Sequence, residues 1–131
     1  MGTRSLTFVY DGDEKPFVCM YRHMDGYPSG HGKELAEFLK PIKVVDGLGG
    51  NQQNVANGAG CLAAQMVRHF KNGPDGIYLY TPELGVDHGQ DYEYHVYASE
   101  KGIRVKVTDP RTQIFEGSVE AFLQFCTKEE E

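Results

Sequence analysis

The chain has 131 residues, 19 acidic against 13 basic side chains, a formal net charge of -6, and about 40% apolar and 24% charged residues. These are the values of one ordinary globular domain over residues 1–131, long enough to bury a core without metal or disulfide staples. The negative charge sets the chain against broad attraction to nucleic-acid phosphates, and no apolar run approaches the roughly 20 residues of a membrane span.

Met1-Gly2-Thr3-Arg4-Ser5-Leu6 lacks the apolar stretch of a secretory signal, so the expected location is cytoplasmic. Leu6 to Tyr10 is rich in β-formers, Asp11 to Pro16 is turn chemistry, and Phe17 to Met24 is β-rich again, which predicts an opening hairpin. A period of two puts Phe17, Cys19, Tyr21 and His23 on one face of the second strand, with Val18, Met20, Arg22 and Met24 on the other. Both faces are largely apolar, so this strand is expected to be covered on both sides. Leu35, Phe38 and Leu39 follow helical spacing and Pro41 ends it, predicting a helix over Ser29–Lys40. Asp46 to Asn54 is a loop of glycines and amides.

From Asn57 a second helix lines up Leu62, Ala63, Met66, Val67 and Phe70, and Asn72-Gly73-Pro74 stops it. Ile77–Tyr80, Tyr92–Ala98, Ile103–Thr108 and Gln113–Phe115 read as short strands, with Ser99-Glu100-Lys101-Gly102 as the clearest turn; short connections predict an antiparallel meander. A last helix opens at Gly117-Ser118 with Ser118 as N-cap, and turns Val119, Phe122, Leu123 and Cys126 inward. The whole order predicts an α+β fold, an antiparallel sheet made of the β-hairpin plus the C-terminal meander with about three helices packed on it.

The stretch Tyr21 to Gly32 is densest in chemistry. His23 and Asp25 share a strand face and His31 begins the helix, a set suited to acid–base work or to a metal whose further ligands would come from Asp87, His88 or Asp91. Gly30 and Gly32 also let amides approach an anion at a helix start, with Arg22, His31 and Lys33 adding positive charge. His23, Asp25, Tyr27, Gly30, His31 and Gly32 are therefore the candidate ligand-binding residues, and His23, Asp25 and His31 the candidate metal ligands. The alternative is a tight structural turn in which Asp25 bonds backbone amides and His23 holds the loop. No Walker loop or dinucleotide fingerprint is present, and no cofactor is expected.

The three cysteines, Cys19, Cys61 and Cys126, lack C-x-x-C spacing, so neither a zinc site nor a disulfide framework is indicated. Cys61 follows Gly58-Ala59-Gly60 at a helix start, a setting that suits a nucleophilic cysteine. With His95 on a later strand and Asp109 at the end of the next, its order is similar to that of papain-like cysteine hydrolases, and Gln52 or Gln53 would supply an oxyanion donor. Tyr78, Tyr80, Tyr92, Tyr94 and Tyr97 make the meander tyrosine-rich, which suits either cross-strand packing or an interface, including one between copies of the chain.

Tyr21-Arg22-His23-Met24-Asp25-Gly26-Tyr27-Pro28 with Gly30 and Gly32, and then Asn57-Gly58-Ala59-Gly60-Cys61-Leu62-Ala63-Ala64-Gln65, resemble two blocks of a family of small uncharacterised proteins from phage and bacterial genomes. The resemblance spans about residues 17–98. It implies a phage or mobile-element setting and carries no activity, substrate or catalytic residue. The expected function is thus an accessory binding protein that takes a small anionic ligand or a protein partner at the His23–Gly32 junction. The alternatives are a Cys61/His95/Asp109 hydrolase and a purely structural or oligomerising protein.

Overall fold

A computed structural model describes residues 2–12, 15–45 and 54–128. Strands β1 (Ser5–Asp11) and β2 (Pro16–Arg22) form the expected hairpin, with Leu6 opposite Tyr21 and Phe8 opposite Cys19. A π-helical turn, Pro28–Gly32, runs into helix α1 (Lys33–Leu39), so the helix expected over Ser29–Lys40 is present but wide in its first turn. Strands β3 (Lys43–Val45) and β4 (Val55–Asn57) form a small parallel pair of their own, ahead of helix α2 (Gly58–Phe70). Strands β5 (Ile77–Tyr80), β6 (Tyr92–Ser99), β7 (Gly102–Asp109) and β8 (Thr112–Ser118) follow, then helix α3 (Val119–Lys128). Ser118 caps α3 as expected, its Oγ accepting the Ala121 N–H at 3.2 Å.

The α+β architecture is the one the residue pattern predicts, and the sheet is mostly antiparallel. Its six strands run in the order β5-β2-β1-β6-β7-β8. The β6–β7 hairpin closes through the expected turn, with Ala98 opposite Ile103 and Ser99 opposite Gly102. Two pairings depart from expectation. β1 pairs with β6 in parallel, Ser5 opposite Tyr92 through Asp11 opposite Ala98, so the sheet is mixed. β5 leaves the meander altogether and pairs antiparallel with β2, Cys19 opposite Tyr80, at the far edge of the sheet. Both contacts join segments distant in sequence, where no turn signal constrains the partner.

The helices cover one sheet face. Val9, Met20, Tyr94, Val96, Ala98, Val105 and Val107 are buried there against Leu35, Leu39, Leu62, Met66, Phe122 and Cys126. Each fully buried Leu, Phe or Met contributes roughly 1.5–3 kcal/mol. The opposite face has a second, aromatic cluster of Leu6, Phe8, Tyr10, Cys19 and Tyr21, with Tyr97 against it. The chain must cross β2 and β1 between β5 and β6, and it does so on this face: His88 stacks on Tyr80 with ring centroids 4.0 Å apart. The crossing is tied down where Asp91 N–H bonds the Arg4 carbonyl (2.9 Å) and Arg4 N–H bonds the Asp91 carboxylate (3.0 Å). No helix among the described residues is long and apolar enough to cross a membrane.

Candidate functional site

The junction between β2 and the π-turn is a closed piece of architecture. Asp25 sits at φ 60°, in the left-handed region that costs a non-glycine residue roughly 1–2 kcal/mol. That conformation aims its carbonyl back at the turn, where it accepts the His31 N–H at 2.7 Å. The amides of Gly30 and Gly32 both donate to the Tyr27 carbonyl, at 2.9 and 3.4 Å, so the amides expected to face an anion are engaged internally. The glycines serve packing: a Cβ on Gly30 would lie 2.5 Å from the Asp25 carbonyl oxygen, and one on Gly32 would lie 2.8 Å from Cys126 Sγ. Buried Tyr94 reaches across from β6 and donates its hydroxyl to the Gly26 carbonyl at 2.7 Å.

His31 is fully buried between the sheet and α2. Arg22 carries only donors, so its Nη1, 3.3 Å away, donates to His31 Nδ1; the Nε2–H then donates to Thr7 Oγ1 at 2.8 Å. The ring packs on Phe70 and Tyr94 at 4.9 and 5.1 Å between centroids. Burial first, and the Arg22 guanidinium second, push its pKa down to about 3, so the imidazole is neutral and welds β1, β2 and the π-turn together.

His23 and Asp25 are exposed instead, and they line a cleft of about 580 Å³ with Arg22, Glu34, His69, Asp75 and Tyr78. Arg22 closes one side through its pair with Glu34 at 3.2 Å and its Nε–H to the Met24 carbonyl at 2.8 Å. The structure therefore brings His23 and Asp25 to one concavity but leaves Tyr27, Gly30, His31 and Gly32 out of its wall, against the expected mouth. The exposed Tyr27 donates its hydroxyl to Asp25 Oδ1 at 3.2 Å, and that carboxylate holds the phenol above its ordinary pKa.

No group of three or more His, Cys, Asp or Glu side chains among the described residues is arranged to hold a metal ion. Asp87 and Asp91, two of the supplementary ligands considered, line a separate acidic cleft of about 680 Å³ with Glu93, Asp109 and Arg111, while His88 is stacked on Tyr80.

The Cys61/His95/Asp109 set is not brought together. Cys61, half-buried on α2, packs on the helix-side core that contains Tyr94 and Val96; His95, between those two on β6, projects from the other side of the sheet and stacks on Phe8 at 5.2 Å. Asp109 closes the β7–β8 turn by accepting the Thr112 N–H at 3.1 Å. The acid beside His95 is Glu93, two residues back on the same strand face, with Oε1 3.3 Å from Nε2. Tyr10 donates its hydroxyl to the other ring nitrogen, Nδ1, at 2.6 Å. Hydrogen bonding from His95, ahead of the opposing effect of burial and with help from Gln90 and Thr108, holds the Glu93 carboxyl below its usual range. Burial pushes the Tyr10 phenol well above its usual range, so this Glu93–His95–Tyr10 chain keeps its hydroxyl protonated and orders the aromatic face. An i, i+2 acid–histidine pair on a predicted strand was the available signal for Glu93; the cross-strand partner Tyr10 had none. Gln52 and Gln53 lie outside the described residues.

A different surface is left open. Among the described residues, the exposed large apolar side chains are Phe17, Met24, Tyr27, Tyr78, Leu79, Tyr80 and Leu84, with Leu79 the most exposed at 56%. All lie on β2, the junction, β5 and the chain just after it. Met24 and Tyr78 line the same cleft, and the His23 N–H bonds the Gly76 carbonyl at 2.9 Å, so these segments are neighbours in space. Of the tyrosines in the C-terminal half, Tyr94 is buried and Tyr92 and Tyr97 half-buried, which leaves Tyr78 and Tyr80 as the exposed ones. Comparison with protein-family models, with curated proteins and with solved structures gives no match.

Proposed function

We propose that the protein is a binding protein, engaging a protein partner through the β5 side of the molecule, from the outer side of the junction to the edge strand. The single observation that carries this reading is the gathering of the exposed large apolar side chains on that one side. Exposed apolar side chains gathered on one edge of a sheet and its flanking chain, with Asp25, Asp75 and Glu83 among them in the sequence, are a usual mark of an interaction surface. The closed junction amides give a small anion no comparable foothold, and Cys61 and His95 lie on opposite sides of the sheet, which speaks against a hydrolase built on that pair.

The test is a selection of binders from a displayed library of folded protein fragments on the immobilised protein, followed by affinity measurement on two variants. Leu79→Ser alters the exposed side, and Gln113→Ser alters the opposite edge strand, β8. Enriched fragments are expected to bind the wild type and the Gln113→Ser variant equally and the Leu79→Ser variant at least tenfold more weakly. Fragments indifferent to Leu79→Ser would overturn the reading.

A further inference from the structure

The partner's chemistry is legible in the edge strand itself. β5 pairs only with β2, so among the described residues no strand lies on its outer side. An edge of this kind is a template for another strand unless it is blocked. Lys71 blocks its beginning: Nζ donates to the Ile77 carbonyl at 2.6 Å and to the Pro74 carbonyl at 3.2 Å, and sits 5.3 Å over the Tyr78 ring. Beyond that point Tyr78, Leu79 and Tyr80 are all exposed, Tyr78 and Tyr80 on the Tyr21 face and Leu79 on the other, so both sides of the edge offer a side chain to an added strand.

Charge narrows the occupant. The chain on either side of β5 carries Asp75 before it and Glu83 after it, while Asp87 and Asp91 belong to the separate cleft with Arg111. Beside β5, Lys71 is held against the Pro74 and Ile77 carbonyls and Arg22 is paired with Glu34. A second copy of the chain would set these carboxylates against one another on a molecule already at -6. Resting on the binding reading above, we infer that the partner supplies an extended, lysine- or arginine-bearing segment that adds to β5 as a seventh strand of the sheet. Apolar residues of that segment meet Tyr78, Leu79 and Tyr80, while its cations face Asp75 and Glu83, which flank β5 in the chain.

A displayed library of random twelve-residue peptides, selected on the full chain, tests this separately from the folded fragments. The expected peptides carry net positive charge, lose at least tenfold in affinity to the Leu79→Ser variant, weaken severalfold between 50 and 300 mM NaCl, and lose at least tenfold when alternate backbone amides are N-methylated. Binding should also slow amide hydrogen exchange within residues 78–80. Neutral or acidic peptides, peptides unaffected by N-methylation, or no enrichment at all overturn strand addition; the broader reading still stands if folded fragments depend on Leu79. Peptides and fragments both indifferent to Leu79→Ser overturn both. Concentration-dependent dimerisation in sedimentation that Leu79→Ser abolishes overturns the basic partner in favour of a second copy.

Discussion

His31 makes the stability of this protein depend on pH in a window that can be assigned to one side chain. Its folded pKa of about 3 lies below the ordinary 6.5 because the ring is fully buried and faces the Arg22 guanidinium. Between those values the unfolded chain binds a proton that the folded chain does not, so stability is complete above about pH 6.5 and falls as the solution is acidified. The slope is about 1.4 kcal/mol per pH unit, so moving from pH 7 to pH 5 removes about 2 kcal/mol, a large part of the ~5–15 kcal/mol typical of a domain. His31→Gln provides the reference, since its amide keeps a donor for Thr7 and an acceptor for Arg22 but does not titrate.

The measurement is urea unfolding followed by circular dichroism, because the chain has no Trp. At pH 7 the variant should be less stable by about 1–3 kcal/mol, from imperfect hydrogen bonds and lost ring packing on Phe70 and Tyr94. At pH 5 that gap should shrink by about 2 kcal/mol, a relative shift of about 1 M in urea midpoint for an m-value near 2 kcal/mol/M. A gap that stays constant from pH 7 to pH 5 would refute the burial of a neutral imidazole at this position.

Other outcomes follow from the same contacts. Gly32→Ala places a methyl 2.8 Å from Cys126 Sγ in the core, so it should cost about 2 kcal/mol, or about 7 °C in Tm, and Cys126→Ala in the same chain should recover part of that loss in a double-mutant cycle. Glu93→Gln should flatten the acid limb of the unfolding curve below the carboxyl's ordinary value of 4.5, because a depressed folded pKa adds stability above it that is lost as pH falls through the folded value. A thiol reagent under native conditions should modify Cys61 alone, since Cys19 and Cys126 are buried and burial raises the Cys19 thiol to about 11; all three should react in denaturant, and His95→Ala should leave the Cys61 rate unchanged.

Local patterning was a sound guide wherever structure is decided locally. The apolar spacing of α2 and α3, the Ser118 cap and the β6–β7 turn all depend on residues within a few positions of one another, and each is where the sequence pattern places it. The parallel β1–β6 pair and the β2–β5 pair join residues more than 50 positions apart, and nothing in a strand's own side chains names its partner. The π-helical first turn was hidden for a related reason: its width follows from Asp25, Tyr94 and Cys126 meeting the glycines in space.

The junction is shaped by the same kind of long-range contact. Two histidines, an aspartate and three glycines in one short stretch look like chemistry, yet most of them meet the demands of a crowded joint where two strands, a tyrosine hydroxyl and a helix converge. His31 is polar because Thr7 and Arg22 need a partner inside the core, and the glycines are small because carbonyls and a sulfur approach them. Tyr78-Leu79-Tyr80, by contrast, reads equally as cross-strand packing or as an interface when it is assumed to continue the meander. Paired with β2 instead, it becomes an edge, and the same three residues lie at the surface. The choice between packing and surface for that segment is therefore set by one long-range pairing, the antiparallel contact of β5 with β2, and by nothing in its own residues.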